Sequence, residues 1–128
     1  MASTINASST ANGIVSTADA SGILNVQSNG VNTNAQAWVN WNGSSGTIRA
    51  SYNTSSVTRT SQGNYTVNFT NAFVDANYAT CFSASLNGSI NYWGISESTA
   101  QTASAAYVKA YTNSAGYDPA YCNASFFR

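Results

Sequence analysis

The 128-residue chain contains no histidine, one proline and two cysteines, and only 6% of its residues are charged, so most solution chemistry is closed to it. Without histidine the commonest general base and the usual zinc ligand are missing, and neither a Ser-His-Asp nor a Cys-His arrangement can be assembled. Two isolated cysteines, Cys81 and Cys122, cannot supply a four-ligand site; no metal and no other cofactor is expected. The basic residues Arg49, Arg59, Lys109 and Arg128 are scattered and are balanced by Asp19, Asp75, Glu97 and Asp118. A chain without a basic patch has few counterions to release from a phosphate backbone, so nucleic acid is not an expected partner. No apolar run approaches the roughly 20 residues that span a bilayer. The opening MASTINASST has neither the charged nor the apolar region of a secretory signal, which points to folding in a cytoplasm. Gly43 and Gly46 sit in a Ser/Gly turn with no helix pattern behind it, unlike a phosphate-binding loop.

Paired carboxylates are the remaining route to catalysis, since two acids flanking a glycosidic bond can hydrolyse it. Outside the N-terminal segment the candidates are Asp75, Glu97 and Asp118. Each falls in an expected loop or turn, where a solvated charge is the ordinary reading, and the chain is not expected to be an enzyme. Cys81 and Cys122 could form a disulfide if neighbouring strands brought their Cα atoms within about 7 Å. Synthesis in a reducing compartment argues instead for buried free thiols.

What the chain has in quantity is Ser, Thr and Asn, roughly two-fifths of all residues, together with 43% hydrophobic and 12% aromatic residues at zero net charge. Disordered chains combine low hydrophobicity with high net charge and few aromatics, so this one is expected to fold, at a length that suits one core. Near-zero net charge also favours association over a free monomer.

Residues 1–36 contain no aromatic side chain and one short apolar patch, Gly22 to Val26. Such a segment cannot form a core alone and reads as an extended attachment arm, with a short strand at about 22–27 and a turn at Ser28-Asn29-Gly30. The β-domain is expected over 37–128. Its first strand runs from Gln36 to Trp41 and stops at Asn42-Gly43. Thr47 to Tyr52 follows as a half-buried strand with Ile48, Ala50 and Tyr52 on one face. A hairpin joins Ser56–Thr60 to Tyr65–Thr70, and Tyr65, Val67 and Phe69 form the clearest period-2 face in the chain. Asn77 to Leu86 makes a longer strand, and Asn87-Gly88 signals a hairpin turn into Ser89–Ile95. Ala103 to Thr112 fits a helix or a strand; β neighbours on both sides favour strand. After the loop through Pro119 a last strand covers Ala120 to Phe127. Short antiparallel strands at near-even spacing make an all-β fold, an antiparallel β-sandwich or small barrel.

Aromatic side chains carry what function remains. Most of the three tryptophans and eight tyrosines belong to the core, because large side chains dominate burial in small sandwiches. Trp93, Tyr111, Tyr117 and Tyr121 lie outside clean core alternation near the later loops, and exposed aromatics mark recognition sites. They are the candidate receptor- or ligand-binding residues, with adjacent Asn and Ser to supply hydrogen bonds.

The wording AWVNWNGSSGTIRASYNTSSVT followed by GNYTVNFTNAFVDANYAT resembles a module near the ends of tail-fibre and other virion structural proteins of tailed bacteriophages, including cyanobacterial and marine phages. The matching residues include Trp38, Trp41, Asn42, Gly43, Arg49, Tyr52, Gly63, Tyr65, Val67, Phe69 and Tyr78. Residues 2–30 are similar to the opening segment of phage fibre-like proteins. The resemblance implies a virion component assembled in the host cytoplasm, a homotrimer attached to other virion proteins by its N-terminal arm, with the β-domain facing outward. It departs from the pattern in lacking a shaft, because only Val31 to Gln36 separates arm from module. A short tail fibre or receptor-binding protein that meets a host surface glycan is the leading expectation. A capsid decoration or cement protein is the alternative, followed by a free carbohydrate-binding lectin.

Overall fold

A computed structural model describes residues 27–28, 31–85, 93–96, 101–111 and 115–128. Among them there is no helix, and eight strands form two four-stranded antiparallel sheets. A minor ladder precedes them, β1 (Gln27–Ser28) against β2 (Val31–Asn32). The first sheet has the order β4-β3-β10-β7, built from β3 (Ala37–Trp41), β4 (Ile48–Tyr52), β7 (Ala79–Ser85) and β10 (Tyr121–Phe127). The second has the order β5-β6-β9-β8, built from β5 (Thr54–Ser61), β6 (Asn64–Phe69), β8 (Trp93–Ser96) and β9 (Ala105–Tyr111). This is the β-sandwich that the alternation implies.

Period-2 burial writes the core. Ala37, Val39 and Trp41 on β3, Tyr65, Val67 and Phe69 on β6, Ala106, Val108 and Ala110 on β9, and Cys122, Ala124 and Phe126 on β10 all point between the sheets. Burying each large side chain here is worth about 1.5–3 kcal/mol. Alanines and aromatic rings share this core, a mixture of small and large side chains that suits two sheets packing at the crystal-like density of protein interiors. At one end Phe69 meets Phe73, Phe126 and Tyr78 edge-on with ring centroids 4.6, 5.0 and 5.6 Å away. The single hydrogen of the Tyr78 hydroxyl is shared between the carbonyls of Ala105 and Thr102. At the other end Trp41 packs edge-on against Tyr65 at 5.5 Å.

The chain changes sheets between β4 and β5 through one residue, Asn53, at φ 51°. Asparagine tolerates this left-handed backbone better than other non-glycine residues do. Its amide also pins the corner: Nδ2 donates to the carbonyls of Gln36 and Asn71, and Oδ1 accepts the Asn71 N–H.

Two expectations from the sequence need correction. Ala50 and Tyr52 face solvent rather than the core, because β4 is an edge strand with a bulge against Asn40 and Trp41. The bulge leaves Ile48 against the core while sending its period-2 partners outward. Within the described residues β7 and β8 lie in different sheets, β7 pairing with β10 and β8 with β9; the expected turn at Asn87-Gly88 lies outside the described residues. The ladder between β7 and β10 is long, seven residue pairs from Tyr121–Ser85 to Phe127–Ala79. Secondly, Cys81 and Cys122 are the free thiols that the sequence favours over a disulfide, but only Cys122 is buried and Cys81 is exposed. Cys81 pairs in register with Ser125 and Cys122 with Ala84, which puts the two thiols on opposite faces of one sheet and rules out a disulfide within this fold. The strand choice for 103–112 agrees with β9, and the expected strand at 22–27 lies almost wholly outside the described residues.

Candidate functional site

Alternate residues of β3, β4, β7 and β10 must face away from the core, and together they make one broad outer surface. Its rows follow the strand register. Tyr52, Trp38, Ser125 and Cys81 lie side by side across the sheet, and Ala50, Asn40, Asn123 and Ser83 form the next row. Tyr121 and Ser85 follow. Trp38, Tyr52 and Tyr121 are 40, 43 and 45% exposed. Among the described residues the only other exposed large apolar side chain is Val74, on the β6–β7 connection, so the exposed aromatic area is concentrated on this face.

Its polar groups are arranged as well. Asn40 Nδ2 donates to Asn123 Oδ1 at 2.5 Å across the β3–β10 ladder and lies 3.3 Å from the Cys122 carbonyl. The bulge in β4 aims Arg49 across the sheet, where Nη1 donates to the Trp41 carbonyl at 2.7 Å and Nη2 to the Ala120 carbonyl at 2.6 Å. Its guanidinium carbon sits 4.6 Å from the centre of the Tyr121 ring, a cation–π contact that holds the ring in place. Beside Trp38 lies a shallow groove of about 370 Å³ bordered by Trp38, Asn40, Cys81, Ser83, Asn123 and Ser125.

Of the four residues singled out from sequence, Tyr121 belongs to this surface. Tyr111 is on the outer side of the second sheet, its ring 4.5 Å from Lys109 Nζ. Tyr117 lies half-buried in the β9–β10 connection, its N–H donating to the Ala110 carbonyl. Trp93 pairs with Tyr111 in the backbone register, while its side chain lies outside the described residues. The structure therefore spreads these residues over different parts of the fold. Sequence reasoning missed Trp38, Tyr52, Asn40, Asn123 and Arg49. A signal was present for the first: Trp38 and Trp41 are three apart on one strand, so they cannot share a face, and with Trp41 in the core Trp38 must point out.

The carboxylates play another part. Asp118 is not a solvated charge: its Oδ1 accepts from Arg59 Nε, the Gly63 N–H and the Tyr65 hydroxyl at 3.0, 2.9 and 2.9 Å, and Oδ2 accepts from Arg59 Nη2 at 2.7 Å. The hydrogen bonds from Arg59, Gly63 and Tyr65 hold its carboxyl below the usual range. Burial first, and the bond to Asp118 second, push the Tyr65 phenol well above its ordinary value. A carboxylate that stays ionised beside a phenol that stays protonated has no proton to exchange near neutrality. This group ties the β5–β6 turn to the β9–β10 connection. Asp75 is held low by the paired Arg128 guanidinium, and Glu97 lies outside the described residues. Among the described residues no three His, Cys, Asp or Glu side chains gather where a metal ion could be held.

No protein-family profile matches the chain, and no curated protein or solved structure is significantly similar to it.

Proposed function

We propose that this chain is a bacteriophage virion structural protein, a short tail fibre or receptor-binding protein that attaches by its N-terminal arm, associates as a homotrimer and recognises host surface glycan without catalysing a reaction. The observation that carries the recognition part is the gathering of Trp38, Tyr52 and Tyr121 beside the Asn40–Asn123 amide pair on one open sheet face. Flat rings offer apolar area to the C–H faces of sugars, while amides and hydroxyls match sugar hydroxyls, and weak single sites gain strength when several copies engage together. The virion part is supported by the likeness of residues 37–85 to phage fibre modules.

Purified virions imaged by electron cryomicroscopy, with the chain located by a bound antibody fragment, test the placement. Density at the tail tip is the expected result. Density on the capsid shell would instead establish the second reading, a decoration protein whose arm threads between capsid subunits, for which the neutral charge speaks.

A further inference from the structure

The exposed face has a composition and a length, and both constrain what it holds. The strands β3, β4, β7 and β10 contain no Asp, Glu or Lys and a single Arg. That residue, Arg49, keeps its charge but is held by the Trp41 and Ala120 carbonyls and against the Tyr121 ring, so the strands present one fixed positive charge at one end and only neutral side chains along the rest of the face. Trp38 is in register with Ser125, and Tyr121 lies four residues further back on β10, so the two rings stand about 14 Å apart along the strands at roughly 3.4 Å per residue. One sugar ring cannot rest on both. Between them the Asn40 to Asn123 hydrogen bond uses one amide hydrogen and one amide oxygen, leaving Asn40 Oδ1 as an acceptor and Asn123 Nδ2 as a donor for neighbouring hydroxyls.

We infer, building on the glycan-recognition reading above, that this face binds an uncharged oligosaccharide of several residues laid along β3 and β10. Trp38 lies under one ring, Tyr121 under another, and the asparagine pair reads hydroxyls between them. A terminal monosaccharide would engage one platform only.

The test is an array of neutral glycan backbones, each immobilised as a series from one to six sugars, with sulfated and sialylated counterparts of the same lengths, probed with the full chain. Binding is expected to rise at least 100-fold from monosaccharide to tetrasaccharide on the best neutral backbone. Trp38→Ala and Tyr121→Ala, each folded by circular dichroism, are expected to lose at least tenfold on long oligomers and to flatten the length dependence. Equal binding of monosaccharide and hexasaccharide would overturn the extended site while leaving glycan recognition standing. Preference for the acidic series would overturn the uncharged ligand. Silence across the array would remove the recognition reading itself and this inference with it, and a changed association state in both variants would reassign the face to a subunit interface.

Discussion

Replacing Asp118 with alanine should destabilise the sandwich more than any other single change at its surface. The carboxylate receives four hydrogen bonds from three residues, and its side chain is 16% exposed. Two of the donors have no alternative in the fold: Tyr65 is 2% exposed, and Gly63 is buried at the β5–β6 turn. Leaving a buried donor unpaired costs about 1–3 kcal/mol, so two such donors, with some water entering beside Asp118, give about 2–4 kcal/mol for Asp118→Ala. Arg59 lies in solvent and is left out of that sum. Tyr65→Phe removes one donor and leaves the other bonds to the carboxylate intact, so it should cost about 1–2 kcal/mol. Because the two residues share a bond, the double variant should fall short of the sum of the singles. Thermal and urea unfolding measure all three, and about 1 kcal/mol corresponds to roughly 4–8 °C in a domain of this size. A loss below about 0.5 kcal/mol for Asp118→Ala, against a typical cost of about 1 kcal/mol for any substitution, or strict additivity in the double variant, would refute the reasoning.

Other consequences are open to measurement. Stability should fall at alkaline pH, because burial pushes both the Cys122 thiol and the Tyr78 phenol up to about 12. Groups raised in the folded state stabilise fully below their unfolded values, and that contribution is lost as pH climbs from about 8.5–10 through the folded value, at about 1.4 kcal/mol per pH unit per proton. Urea titrations at several pH values should show this decline, and Cys122→Ala should delay its onset. At the acid end Asp118 and Asp75 are lowered by their arginine partners, so stability is complete above the ordinary carboxylate range and is lost as pH falls through the depressed folded values; a native state less stable at pH 6 than at pH 3 would contradict this. In the native protein one thiol, Cys81, should react promptly with Ellman's reagent, and Cys122 only at the unfolding rate; two fast thiols or none would dispute the opposite placement of the pair. Gly63→Ala should fail to fold or lose more than about 2 kcal/mol, since Gly63 has φ 75° and a Cβ there would collide with the Ala110 carbonyl and Gly116.

Much of the architecture is legible in the residues because burial and strand period coincide where both sheets need them. Tyr65, Val67 and Phe69 alternate cleanly since β6 is an interior strand with one face on the core. Edge strands blur that signal: β4 carries its apolar residues on both sides of a bulge, and nothing local announces where the extra residue falls. β7 finds its partner in β10, more than thirty residues further along the chain, a pairing that no local pattern announces. Asp118 looked like a loop charge because its partners, Arg59, Gly63 and Tyr65, come from a hairpin more than fifty residues away. The outer aromatic face of the first sheet was hidden for a similar reason: Tyr52, Trp38, Asn123 and Tyr121 come from three strands and become neighbours only through register.

The central claim, that the open face of the first sheet is where this protein meets a host glycan, is tested most directly by comparing glycan binding of the wild-type chain and a Trp38→Ala, Tyr52→Ala double variant on the same array. Both substitutions fall on exposed positions, so the variant should keep its melting temperature within a few degrees. Central aromatic contacts are typically worth about 2 kcal/mol or more, over tenfold in affinity. The account expects the wild-type protein to bind at least one bacterial surface glycan and the variant to lose that binding by more than tenfold. Undiminished binding by a folded double variant would contradict it.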